Sequence, residues 1–217
     1  MKVEQTSPRD ELNLREVTRL LNIDYKKLEK EGQIKQLLNN GVTKALPVSI
    51  KVDLAEKKDV SISTTARLVL GSDGEGKRTV NAVFKNENPK LDRYRDIELS
   101  AEQQKELRQG KTLVITDGSQ REHLVKLDTE LNRVAGMKKS IFLVPEKLGS
   151  PREGYTKLSN TQQASLKRGE AVELEVGGKK VTAQVDPIER RLKMEQSPKE
   201  SLDLKLAGPR KKTGPSL

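Results

Sequence analysis

The hydrophobic positions of this chain follow a helical period first and an alternating one afterwards. Between Asn13 and Gly41 ("NLREVTRLLNIDYKKLEKEGQIKQLLNNG") Leu14, Val17, Leu20 and Leu21 recur at helical spacing, with Asn13 placed to cap. Asp24 is placed to cap a second short helix that carries Leu28 and stops at Gly32. A third carries Ile34, Leu37 and Leu38 and ends at Gly41, where glycine suits a left-handed C-cap. Helices this short are not stable alone, so their apolar stripes must pack together or onto a sheet. After "TKALP" the period becomes two. "VSIKVDL" alternates as a strand, and "SISTTARLVL" and "RTVNAVF" make two more around a glycine-rich turn. "KNENPKLDRYRD" (Lys85 to Asp96) is polar and irregular and reads as a linker.

The remainder contains an internal duplication. "LSAEQQKELRQGKTLVI", from Leu99, returns as "LSNTQQASLKRGEAVEL", from Leu158. Each copy opens with Ser and has Gln three residues later (Ser100 with Gln103, Ser159 with Gln162), the signature of a capping box. The helix so started carries Leu107 or Leu166 and ends at Gly110 or Gly169. A hairpin follows: "KTLVIT" with "HLVKLD" in the first copy, "EAVELEV" with "KVTAQVD" in the second. The copies differ by one residue at the hairpin turn, beyond which Asp128 corresponds to Asp186 and Arg133 to Arg191. Each unit then reads as helix, hairpin, turn and short strand. A unit that small buries its apolar face poorly alone, so the two should stack or lean on neighbouring structure.

These patterns predict an α+β fold with six segments. Residues 1–12 form a disordered lead, 13–92 a small helical and β-hairpin domain, and 93–140 the first helix–hairpin repeat. A connector spans 141–157, with Ile141 to Val144 as a strand or docking piece. The second repeat spans 158–196, and 197–217 a disordered basic tail.

Composition narrows the classes of function. Of 217 residues, 33% are hydrophobic and 34% charged, which suits several thin layers better than one thick core. There is no cysteine, so thiolate chemistry and disulfides are excluded. The first residues have no apolar targeting core, and no stretch approaches the length of a membrane span, which predicts a soluble cytoplasmic protein without membrane contact. The net charge is +10 and uneven: 17 basic and 14 acidic residues up to Asp92, 25 and 18 after it. A polyanion partner is the first class this suggests.

Candidate catalytic chemistry is sparse. "GSDGEGKR" (Gly71 to Arg78) has the spacing of a phosphate-binding loop, but Arg follows the lysine where Ser or Thr should hold magnesium, and a strand follows instead of a helix. It reads as a hairpin tip. His123 is the single histidine, at the start of a hairpin strand, and reads as exposed. Zinc needs several N or S ligands, which this chain does not supply. No catalytic, cofactor or metal residues are therefore expected, and no small-molecule substrate is apparent. For nucleic acid the candidates are Arg133, Lys138, Lys139, Arg190, Arg191, Lys193, Arg210, Lys211 and Lys212, side chains that bind phosphate by releasing counterions. Aromatic residues for stacking single-stranded bases are few, and no recognition helix is apparent, so contact should be backbone-driven.

The string "LNIDYKKLEKEGQIKQLLNNGVTKALPVSI" resembles an uncharacterised domain from proteins of bacterial conjugative transposons and related mobile elements, with Asn22 where glycine is common. The repeated "LS..QQ..L..G" with its hairpin resembles a second domain of unknown function that often follows the first in tandem, and the tail "GPRKKTGPSL" fits the same pattern. The resemblance runs from about Asn13 to Met194 and implies a genetic setting, DNA transfer or plasmid-like maintenance. It carries over no catalytic residues. The expected function is a non-enzymatic accessory protein that contacts DNA phosphates with little sequence selectivity. The alternative is an adaptor whose tandem hairpins dock a DNA-transfer or DNA-processing protein.

Overall fold

The computed structural model describes residues 12–54 and 57–196. The predicted disordered lead, apart from Leu12, and the basic tail lie outside the described residues. The fold is mixed α and β, with several small antiparallel sheets.

The chain begins with α1 (Leu14–Leu20), α2 (Tyr25–Lys30) and α3 (Gln33–Asn40), followed by the antiparallel sheet of β1 (Leu46–Leu54), β2 (Lys57–Ser72) and β3 (Arg78–Phe84), in that order. The helical stripes close on one face of this sheet. Leu14, Leu21, Leu28, Ile34 and Leu37 pack with Leu46, Val48, Ala66, Leu68 and Val80. Asp24 caps α2 by accepting from the amides of Lys26 and Lys27, and Gly41 ends α3 with φ +72°. Asn13 does not cap α1. Its amide instead pairs with the backbone of Val80 on the edge strand β3, accepting at 2.7 Å and donating at 3.3 Å. Edge groups of a sheet must find partners, and the Asn13 amide imitates a strand there. "GSDGEGKR" is a hairpin tip: Asp73 accepts from the amides of Glu75 and Lys77 and closes the turn between β2 and β3.

The expected linker is structured. It contains β4 (Arg93–Tyr94), which pairs with β5 (Ile97–Glu98), and it buries Leu91 and Tyr94. Polar composition misled here because a few apolar residues suffice to pin a segment whose backbone is bonded elsewhere. Asn86 and Asn132 clasp one another: each side-chain amide donates to the other's carbonyl, at 3.2 and 2.9 Å.

Next come α4 (Ala101–Arg108) and a three-stranded meander of β6 (Leu113–Thr116), β7 (Glu122–Asp128) and β8 (Arg133–Lys138). A single 3-10 turn, Lys139–Ile141, leads into the connector, which forms the ribbon β9 (Lys147–Ser150) with β10 (Gly154–Lys157). Then α5 (Asn160–Lys167) precedes the meander of β11 (Val172–Val176), β12 (Lys179–Asp186) and β13 (Arg191–Gln196). Both helices carry complete capping boxes. Ser100 and Ser159 each accept from the amide of the third helical residue, and Gln103 and Gln162 each accept from the cap amide. In both, a second glutamine returns to the residue before the cap: Gln104 donates to the carbonyl of Leu99 and Gln163 to that of Leu158.

The two meanders share one register. Val114 pairs with Leu124 and Leu124 with Met137; at the matching positions Glu173 pairs with Thr182 and Thr182 with Glu195. The composition of that face decides the packing. On the first meander Ile115, Val125 and Val134 pack with Leu107 of α4, while Val114, Leu124 and Met137 on the other face pack with Leu166 of α5 and the apolar face of the second meander. On the second meander the matching outer positions are polar, and Glu173 and Glu195 are exposed. The first meander is therefore covered on both faces and the second ends the stack with a solvated one, as terminal repeats do.

Candidate functional site

Three parts of the fold meet at the turns that end β7 and β12. Each turn is built by an aspartate that accepts backbone amides: Asp128 from Glu130 and Leu131, Asp186 from Ile188 and Glu189. Each then passes through a left-handed residue, Asn132 at φ 52° and Arg190 at φ 53°. Arg67, on the β2 face turned away from the helices, binds the first of these turns. Its Nε donates to Asp128 at 2.6 Å and its Nη2 to Glu130 at 2.6 Å, while Nη1 donates to the carbonyl of Thr43. Burial alone would lower the Arg67 pKa, but the two carboxylates outweigh it and raise it. The second turn keeps its own cation: Asp186 pairs with Lys193 at 2.5 Å. Burial works to raise the Asp186 carboxyl, yet Lys193 and the turn amides hold it below the ordinary range.

Between the turns and the open face of the first sheet lies a cleft of about 270 Å³. Its polar lining includes Tyr94, Arg95, Arg133 and Arg190 beside the neutralised Arg67–Asp128 pair. Val42, Val69, Val83 and Ile188 are among its apolar walls. Arg190 reaches across to the carbonyl of Gly41 at 3.4 Å, and a β-carbon at Gly41 would stand 2.8 Å from its Nη1. Burial lowers the Arg190 pKa, and the like charge of Arg95 lowers it further. Arg95, left-handed at φ 54°, lies over the Tyr94 ring, its Cζ 5.4 Å from the ring centroid. The Tyr94 hydroxyl is buried beside the Arg95 and Arg190 guanidinium groups, and its proton has no acceptor among the described residues.

Of the basic residues singled out from the sequence, the structure brings Arg133 and Arg190 together in this cleft. Others are engaged by carboxylates of their own units. Arg191 pairs with Glu189 at 2.5 Å, Lys193 with Asp186 and Glu189, and Lys139 with Glu122 at 2.8 Å. Lys138 ends β8, opposite His123 in register. Arg210, Lys211 and Lys212 lie outside the described residues. His123 is not exposed: it is 1% accessible, with Nε2 3.1 Å from Asp117 and its ring edge-on to Tyr94. A hairpin strand start is usually solvated, but here that strand is the central one of its sheet. Sequence reasoning missed Arg67 and Arg95. The polar β2 face, where an arginine interrupts an apolar strand, was the one available signal for Arg67. Among the described residues no three His, Cys, Asp or Glu side chains gather to hold a metal ion, and no helix is long and apolar enough to cross a membrane.

Residues 10–94 match the model of a family described as a protein of unknown function, DUF4099. That segment is similar to an uncharacterised family. It takes in α1 to α3, the first sheet and the chain up to Tyr94, so it supplies one wall of the cleft, and the two meander units lie outside it. No curated protein and no solved structure matches the chain.

Proposed function

We propose that this is a non-enzymatic accessory protein of a bacterial mobile element, cytoplasmic, that contacts DNA through phosphate-directed basic residues with little sequence selectivity. The observation that carries this reading is that Arg95, Arg133 and Arg190 line one cleft with no carboxylate paired to them among the described residues. Arginine forks match phosphate oxygens, and phosphate contact releases counterions without needing base readout. The net charge of +10 acts in the same direction by drawing polyanions to the surface.

The test is fluorescence anisotropy of labelled duplex and single-stranded DNA across a salt series, with Arg133→Ala/Arg190→Ala and a deletion after Ser201. Binding should fall steeply with salt, and each lost phosphate contact should flatten the logarithmic salt slope by about 1. Absence of binding at about 50 mM salt would overturn the reading.

A second reading, the protein adaptor, is favoured by the connector. Ile141 and Leu143 are 60% and 87% exposed while Phe142 and Val144 beside them pack inward. A partner docked on such residues would hold at moderate salt, where phosphate contact weakens.

A further inference from the structure

We propose that the junction cleft is a binding pocket for a phosphomonoester, holding one terminal phosphate between Arg95, Arg133 and Arg190 with the Tyr94 hydroxyl as a further donor. This deepens the phosphate-directed reading and rests on it for the ligand class. Beyond the neutral Arg67–Asp128 pair the cleft is lined by three more arginines, no carboxylate pairs with any of the three among the described residues, and Glu130 on Arg67 adds a single negative charge beside them. Cations in excess over carboxylates at a partly buried cleft are unfavourable, and a doubly charged phosphate relieves that. A terminal phosphate is doubly charged near neutral pH, whereas a backbone diester carries one charge.

Two further features point to a ligand. The buried Tyr94 hydroxyl has no acceptor for its proton among the described residues, since the neighbouring Arg95 and Arg190 can only donate, and an unsatisfied buried donor needs an explanation. It lines the same cleft as the three arginines, so a phosphate oxygen held there would give it an acceptor. The remaining walls are aliphatic, with Val42, Val69, Val83 and Ile188 offering a surface to the body that carries the phosphate. At about 270 Å³ the cleft falls just below the usual range for ligand pockets and suits one nucleotide-sized group, while a longer strand would enter it only by its end. The phosphomonoester could belong to a free mononucleotide or to the 5′ end of a DNA strand; the chemistry at the arginines is the same.

Calorimetric titration of the full chain with a nucleoside 5′-monophosphate, the parent nucleoside and inorganic phosphate tests the pocket. Anisotropy with 5′-phosphorylated and 5′-hydroxyl oligonucleotides separates the two sources. Saturable one-to-one binding of the monophosphate, none of the nucleoside, and a loss of roughly 10-fold or more in Arg190→Ala is expected. Tyr94→Phe keeps the ring packing and should weaken binding several-fold with the melting temperature unchanged, which separates loss of a ligand contact from loss of fold. No saturable binding of monophosphate or phosphate overturns the proposal, as does binding that neither variant changes. If both oligonucleotides bind equally and Arg190→Ala has no effect, the pocket fails while DNA contact stands. If the monophosphate binds and neither oligonucleotide does, the pocket stands and DNA contact fails.

Discussion

Arg67 on β2 and Asp128 at the end of β7 are 61 positions apart in the chain and form a buried ion pair, Nε to Oδ2 at 2.6 Å and Nη2 to Oδ1 at 3.3 Å. Both side chains are almost inaccessible, at 5% and 1%. The pair joins the first sheet to the first meander, and Asp128 also closes its own turn by accepting the amides of Glu130 and Leu131. Removing one partner of such a pair strands the other charge in a dry site. Arg67→Met should therefore cost about 3–5 kcal/mol in chemical denaturation. A cost below about 1 kcal/mol, the range of an exposed pair, would show that solvent reaches it.

The two capping boxes make an internal control. Ser100→Ala and Ser159→Ala each remove an acceptor for the third helical amide, and each should cost about 1 kcal/mol. The two caps sit on different helices, so the double variant should show the sum of the single losses. A double variant no worse than one single would mean that one helix has already frayed.

Acid should destabilise the protein through specific carboxylates. Glu170 is held down to about 2 by Arg168, and Asp186 is lowered by Lys193 and the turn amides despite its burial. A folded pKa below the unfolded one adds stability that is complete above the unfolded value and lost as pH falls towards the folded one. The melting temperature should thus decline from about pH 4.5 downwards, towards about 2. The Arg168–Glu170 pair is half exposed and screened by water, so Glu170→Gln should barely alter the curve. Asp186→Asn should flatten it and lower the melting temperature at neutral pH. The reverse ranking in a pH series of thermal melts would refute this assignment.

Gly41 links stability to the cleft. Its φ of +72° disfavours any side chain, and the nearest atom to a new β-carbon is Nη1 of Arg190. Gly41→Ala should cost about 1–2 kcal/mol from backbone conformation. It should also displace the Arg190 head and weaken anion binding. Thermal melts read the first effect and phosphate titration the second. Full retention of both would show that Arg190 does not rest on Gly41.

Local chemistry was legible in the sequence, and long-range pairing was not. Ser-x-x-Gln at Ser100 and Ser159, the αL glycine at Gly41 and the Asp73 hairpin tip are short-range devices whose partners lie within five residues. The correspondence of Asp128 with Asp186 was also visible, because both copies are in one chain. Arg67 and Asp128 meet through tertiary docking, which no periodicity records. Asn13 had two compatible uses, helix cap or edge cover, and the proximity of Val80 decided between them. The basic run Arg190, Arg191, Lys193 looked uniform, yet Glu189 and Asp186 engage Arg191 and Lys193 while Arg190, at left-handed φ, turns into the cleft.

The end of the stack is set by side chains that register alone identifies. Val114, Leu124 and Met137 make one face of the first meander, and Glu173, Thr182 and Glu195 occupy the same positions on the second. Strand register, helix caps and turn chemistry agree between the units, so polarity on this face is what distinguishes an inner sheet from a terminal one. Glu173→Val, Thr182→Leu and Glu195→Met would recreate the first face on the second sheet. That places a contiguous apolar patch where Glu173 and Glu195 now meet solvent, a patch of the kind that drives self-association. Light scattering coupled to size exclusion should show the triple variant associating with rising concentration while the parent chain does not. Its far-ultraviolet circular dichroism should be unchanged, since the strand register is kept and the three side chains are those that the first meander carries at the same positions. A variant with the parent chain's elution at every concentration would mean that termination depends on backbone shape at the last strand, and the polar face would lose its role as the cap.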